Sequence, residues 1–193
     1  MGGRRLRERL DLGSRRIVLS PSAKRPHKNI ERLLDALAGL EPPARPLLVV
    51  PGYPTPHEKV LADRARGLGV ASDLRMPGWV SAQDLEGLYG LAHCVVFPSL
   101  YEGFGLPVLE AMGRGVPVAC SNSSSLPEVA GDAALLFDPK DVGQIRQSLL
   151  RLMNEPGLAA ELGKRGRAQA ARFSWERTAA LTAASYRRAL SPG

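Results

Sequence analysis

Two glutamates, Glu102 and Glu110, stand with seven residues between them, on either side of Gly103-Phe104-Gly105-Leu106-Pro107, and Lys28 lies far upstream in a loop of its own. Glycines at 103 and 105 permit positive φ or close backbone approach to a ligand. Leu106-Pro107 then opens a helix whose first-turn N–H groups have no partner within the helix. A loop of that kind is suited to an anion. Continuous helix over 102–110 would place the carboxylates about 12 Å apart along the axis. With Glu102 in the loop they come closer. Paired glycosidase carboxylates lie about 5–9.5 Å apart across one bond, so hydrolysis fits weakly. Acidic side chains accepting from hydroxyl-bearing groups at the two ends of a diphosphate, with Lys28 at the phosphates, fit better.

The elements that must position these residues run in alternation. Val95-Val96-Phe97 reads as a buried parallel strand feeding the glycine loop, and Val116–Ser121 as the strand after the helix. Upstream, residues 1–15 read as a basic lead-in helix closed by Gly13. They are followed by strand 17–19, the loop 20–28, helix 29–40, strand 47–50, helix 58–68, a short strand near 73–76 and a helix from the N-cap Ser81 to about Ala92. Downstream lie a Ser-rich link, a turn at 127–130, strand 134–137 and helices over 141–154, 158–173 and 174–190. Strand and helix in turn predict an α/β fold: a doubly wound, Rossmann-like parallel sheet with helices on both faces. In such sheets ligands bind beyond the carboxyl ends of the strands. That collects the loops 20–28, 51–56, 78–81 and 99–105 into one expected pocket.

Composition bounds the function classes. The 193 residues are 44% hydrophobic, as in an ordinary globular chain, and Cys94 and Cys120 both lie in or beside apolar runs. Two thiols give neither a disulfide scaffold nor a CxxC metal site, and no apolar run reaches membrane-span length, so a cytoplasmic protein is expected. A net charge of +7 invites nucleic acid, but the arginines cluster in terminal helices and aromatics are only 5% of the chain. Solvated helix faces are the preferred reading. The peripheral inner surface of a membrane or a partner domain are the alternatives for those faces. Gly103-Phe104-Gly105 lacks the third glycine of the dinucleotide fingerprint, Val108 standing in its place, and there is no P-loop. The three histidines lack carboxylate or cysteine partners at ligand spacing. His57 reads as surface, and Trp79 and Trp175 as packing residues.

Tyr101-Glu102-Gly103-Phe104-Gly105-Leu106-Pro107-Val108-Leu109-Glu110-Ala111 resembles the E-x7-E motif of family 4 (group 1) retaining glycosyltransferases of the GT-B fold. Gly115-Val116-Pro117-Val118, Pro127-Glu128-Val129 and Phe173-Ser174-Trp175-Glu176-Arg177 resemble its continuation. The resemblance implies the C-terminal, donor-binding half of such an enzyme, occupying 16–193 after a linker at 1–15. The N-terminal acceptor domain would be absent and the chain inactive alone. It implies a nucleoside diphosphate sugar as donor substrate and a glycan, lipid or small-molecule acceptor, with no nucleic acid partner and no cofactor or metal. Glu102 and Lys28 would be the catalytic residues, at the donor sugar and the diphosphate. Donor binding would fall to Glu110 at the ribose, the amides of Gly103, Phe104, Gly105 and Leu106, and the Trp79-Val80 backbone at the base. Ser20-Pro21-Ser22 replaces the family's usual Gly-Arg, leaving Lys24 or Arg25 as substitutes for a second phosphate cation. A noncatalytic sugar-nucleotide-binding module is the alternative.

Overall fold

The computed structural model describes residues 2–42 and 45–190; the expected domain ends at 1 and 193 lie outside them. In chain order the elements are α1 (Gly3–Arg9), β1 (Ile17–Leu19), α2 (Ile30–Ala38), β2 (Leu47–Val49), α3 (His57–Gly67), β3 (Leu74–Arg75), α4 (Ala82–Leu91), β4 (Ala92–Phe97) and α5 (Leu106–Gly113). Then follow β5 (Val118–Ser121), α6 (Leu126–Ala130), β6 (Ala134–Phe137), α7 (Val142–Asn154), α8 (Pro156–Ala170) and α9 (Trp175–Leu190). The strands form one parallel sheet in the order β3-β2-β1-β4-β5-β6. The order reverses between β1 and β4, which makes the crevice beyond Leu19 and Phe97 the switch point where ligands bind in doubly wound sheets.

Alternate strand residues face opposite layers. Val18, Leu48, Cys94, Val96 and Ala119 are buried with Ile30, Leu34 and Leu37 of α2 and Ile145 and Leu149 of α7. Ile17, Leu19, Leu47, Val95, Phe97, Val118 and Cys120 are buried with Leu88 and Tyr89 of α4, Val108 and Met112 of α5, and Leu126 of α6. Both faces are covered, which is why the strands read as unbroken apolar runs. α1 belongs to the second layer: Leu6 is buried, and Arg9 Nη1 donates to Asp84 of α4 at 2.9 Å.

Strand β4 begins at Ala92, directly after α4, three residues before the apolar run that announces it. Ile17 pairs with Ala92 and Val18 with Cys94, so His93 is the extra residue of a bulge, its Nε2 3.2 Å from the Leu152 carbonyl. Among the described residues no helix is long and apolar enough to cross a membrane.

Candidate functional site

The loops after β1 and β4 meet across the switch point. Lys28 closes a short 3-10 turn over Pro26–Lys28, and its Nζ lies 2.6 Å from Glu102 Oε1, with only 17% and 13% of the two side chains exposed. The same ammonium stands 5.3 Å from the centre of the Phe97 ring. Leu100 N donates to the His27 carbonyl at 2.8 Å, and the His27 and Tyr101 rings stack at 4.8 Å. Burial, then the Lys28 charge, lowers the His27 pKa. Asn29 adopts a left-handed conformation with no side-chain cap on α2. Its Nδ2 instead donates to Pro98 O at 2.9 Å and Pro139 O at 2.7 Å, tying this loop to the ends of β4 and β6.

The glycine loop is held from the far side by three serines that read in the sequence only as a link. Ser124 Oγ accepts from Glu102 N at 2.8 Å, Ser123 Oγ donates to Leu100 O at 3.0 Å, and Ser125 Oγ shares its one proton between Phe104 O at 2.8 Å and Glu102 O at 3.1 Å. Gly105 has φ +109°, and a Cβ there would meet Leu126 Cδ2 at 2.6 Å, so the bend into α5 needs glycine. Gly103 and Leu106 flank it. Phe104 is 40% exposed and meets Phe173 edge-on, with 5.8 Å between ring centres.

Glu110 stands further along α5, where its Oε2 accepts from the Tyr89 hydroxyl at 2.9 Å. It lines a cavity of about 580 Å³ with Phe104, Leu106, Leu109, Phe173 and Trp175. Sequence reasoning missed Tyr89, whose apolar neighbours in α4 mark it only as core. Lys28 and Glu102 are thus brought into contact, and Glu110 is placed one element inward on the helix that the same loop opens.

Three expectations are corrected. Lys24 is wholly buried: its Nζ donates to Gly52 O at 2.6 Å and pairs with Glu58 at 2.9 Å, so it joins two loops and is closed to any phosphate. His57 has a carboxylate partner after all, its Nε2 lying 2.6 Å from Glu31 Oε1 with the imidazole only 17% exposed. Trp79 and Trp175, at 60% and 76% exposed, are not packing residues. Val80, beside Trp79, is packed against the second layer, and Gly78 O accepts from Gly52 N at 2.8 Å, so the loop carrying Trp79 and Val80 is fixed at the same edge. In α4, Asp84 and Glu86 are each engaged by an arginine, Arg9 and Arg114 respectively. Among the described residues no group of three metal-ligating side chains converges.

Residues 4–169 match the family model described as glycosyl transferases group 1. O-antigen chain mannosyltransferase B of Escherichia coli is 43% identical over 164 residues, covering 84% of this chain and 43% of that protein. Anabaena HepE, solved in complex with UDP and glucose, superposes with a TM-score of 0.84 at 21% identity over 96% of this chain and 52% of that one. The C-terminal domain of a glycosyl transferase group 1 family protein (LpcC) from Francisella tularensis gives 0.75 at 22% identity, covering 89% of this chain and 92% of that domain. The chain spans about half the length of the Escherichia coli mannosyltransferase and of HepE. With the motif, the sheet order and the family match in agreement, the chain belongs to the group 1 glycosyl transferases and has the fold of a GT-B C-terminal domain.

Proposed function

We propose that this domain binds a nucleoside diphosphate sugar for metal-independent, retaining transfer of the glycosyl group to an acceptor held by a second domain. The observation that carries the reading is the Lys28–Glu102 pair, joined at 2.6 Å across the switch point beside the loop that opens α5. A diphosphate seated there meets the Lys28 ammonium and the amides of Gly103 to Leu106. The sugar falls to Glu102, the ribose diol to Glu110 and the base to the Trp79-Val80 backbone. In transfer, the bond from the anomeric carbon to the phosphate oxygen breaks and one forms to the acceptor oxygen on the same face. The acceptor proton passes to the departing phosphate oxygen. Charge grows on the leaving diphosphate, and donors already in place at a developing anion each contribute about 3 kcal/mol. Lys28 and the loop amides are the donors available here.

HepE was solved with UDP, and the Escherichia coli relative is named a mannosyltransferase, which favours mannose as the first sugar to test. The chain alone would bind without turning over, since the acceptor side of the cleft falls to the other domain. Calorimetric titration with UDP, GDP and ADP and their mannose and glucose derivatives tests the reading. One of these nucleotides should bind the domain, and Lys28→Ala should weaken it about tenfold or more, the loss of a hydrogen bond to a charged group. Failure of the wild-type domain to bind any of them at millimolar concentration, or an unchanged affinity in Lys28→Ala, overturns it.

A further inference from the structure

We propose that Tyr89 is a positioning residue for Glu110: its buried phenol grips one carboxylate oxygen and holds the side chain in the orientation that presents the rest of the carboxylate to a vicinal diol. The proposal rests on the reading of Glu110 as the ribose-binding residue. Tyr89 is 1% exposed, yet its one proton is directed at an acid rather than at a carbonyl. The Glu110 Oε2 acceptor lies at 2.9 Å and Pro107 O at 3.4 Å, and the nearer, charged acceptor takes the proton.

A carboxylate offers about four lone-pair positions, so one bond to the phenol leaves the others for hydroxyl donors. Burial, then the Glu110 charge, pushes the Tyr89 phenol well above its ordinary value, so it stays a donor throughout the working range. Arg114 completes the frame. Its guanidinium stands 4.8 Å from the Tyr89 ring centre, pairs with Glu86 of α4, and donates to the Glu110 backbone carbonyl at 2.8 Å. A phenylalanine at 89 would fill the same space without burying a hydroxyl, which costs stability unless it is paired. The hydroxyl gains its partner in Glu110, a residue that faces the cavity, and so the bond restricts a side chain that otherwise samples several rotamers.

The test is titration with UDP, GDP and ADP, each beside its 2′,3′-dideoxy counterpart, on the wild type, Tyr89→Phe, Glu110→Gln and the double variant, with a thermal melt of each. Tyr89→Phe should melt within a few degrees of wild type and bind the ribonucleotide about tenfold more weakly. Its affinity for the dideoxy compound should be unchanged. In the Glu110→Gln background, adding Tyr89→Phe should change nothing further. An unchanged ribonucleotide affinity, or an equal loss for the ribose and dideoxy forms, overturns the role of Tyr89 while leaving Glu110 as the ribose contact. Equal binding of ribose and dideoxy forms by the wild type is a different failure: it removes the Glu110 reading and this proposal with it.

Discussion

Gly52 is the node at which three loops of the site edge meet, and Gly52→Ala should loosen all three. Its N–H donates to Gly78 O, its carbonyl accepts from buried Lys24, and Ser22 N donates to the neighbouring Pro51 O at 2.9 Å. A Cβ at 52 would lie 2.2 Å from Ser22 O and 2.6 Å from Ser22 C, with φ at +146°. Backbone, not a flexible side-chain tip, is in the way, so the 20–28 loop must retreat by roughly 1 Å to reach ordinary contact. Overpacking of this kind costs about 1–3 kcal/mol and a side chain at such a φ about the same again, giving roughly 4 kcal/mol. For a domain of this size each kcal/mol lowers the melting temperature by about 2–4 °C, so a fall near 10 °C is expected. Circular dichroism melts measure it, with Gly67→Ala as the reference. Gly67 ends α3 with nothing within 4 Å of a Cβ, and alanine there should raise stability by up to about 1 kcal/mol. A Gly52→Ala melt within about 2 °C of wild type would show that the loops are not locked together at this point.

Four further outcomes are expected. Glu102→Gln should weaken a sugar nucleotide more than the free nucleoside diphosphate in calorimetry, and equal losses would remove Glu102 from the sugar. Ser125→Ala leaves two loop carbonyls without their hydroxyl donor and should cost about 1–2 kcal/mol in urea unfolding; an unchanged midpoint would mean the serine does not brace the loop. The Arg9 guanidinium holds the Asp84 carboxyl below the usual carboxylate range. A depressed folded pKa contributes stability that is present above the unfolded value, about 3.9, and is lost as pH falls through the folded one. The stability gap between wild type and Asp84→Asn should therefore be full at neutral pH and close in acid, whereas a gap constant with pH would exclude the linkage. Burial pushes Cys94 and Cys120 up to about 12, so a disulfide reagent should titrate neither thiol until denaturant is added; prompt reaction at pH 8 would contradict their burial.

The carboxyl edge of the sheet was legible in one dimension. Apolar runs at 17–19, 47–50 and 95–97 announced strands because a residue covered on both faces must be apolar whatever lies next to it. Glycine at 105 announced the bend because its backbone conformation excludes a Cβ wherever the chain goes afterwards. Ser81 and Asp141 announced helix starts, and both side chains accept from backbone N–H groups three residues on. These signals are local, and local periodicity survives folding unchanged.

What the sequence alone determined, then, was the class of sheet, the loops at its carboxyl edge and the motif that binds the family together. Only the tertiary structure decided partners. It joined Lys28 to Glu102 across 74 positions, made Asn29 a strap between two strand ends, sank Lys24 beneath Gly52, and set the Tyr89 hydroxyl against Glu110. The physical reason is common to all four. A polar side chain takes its role from whichever unpaired group the packing brings within about 3 Å, and that depends on strand order and on what covers the residue, neither of which is written in the residues adjacent to it.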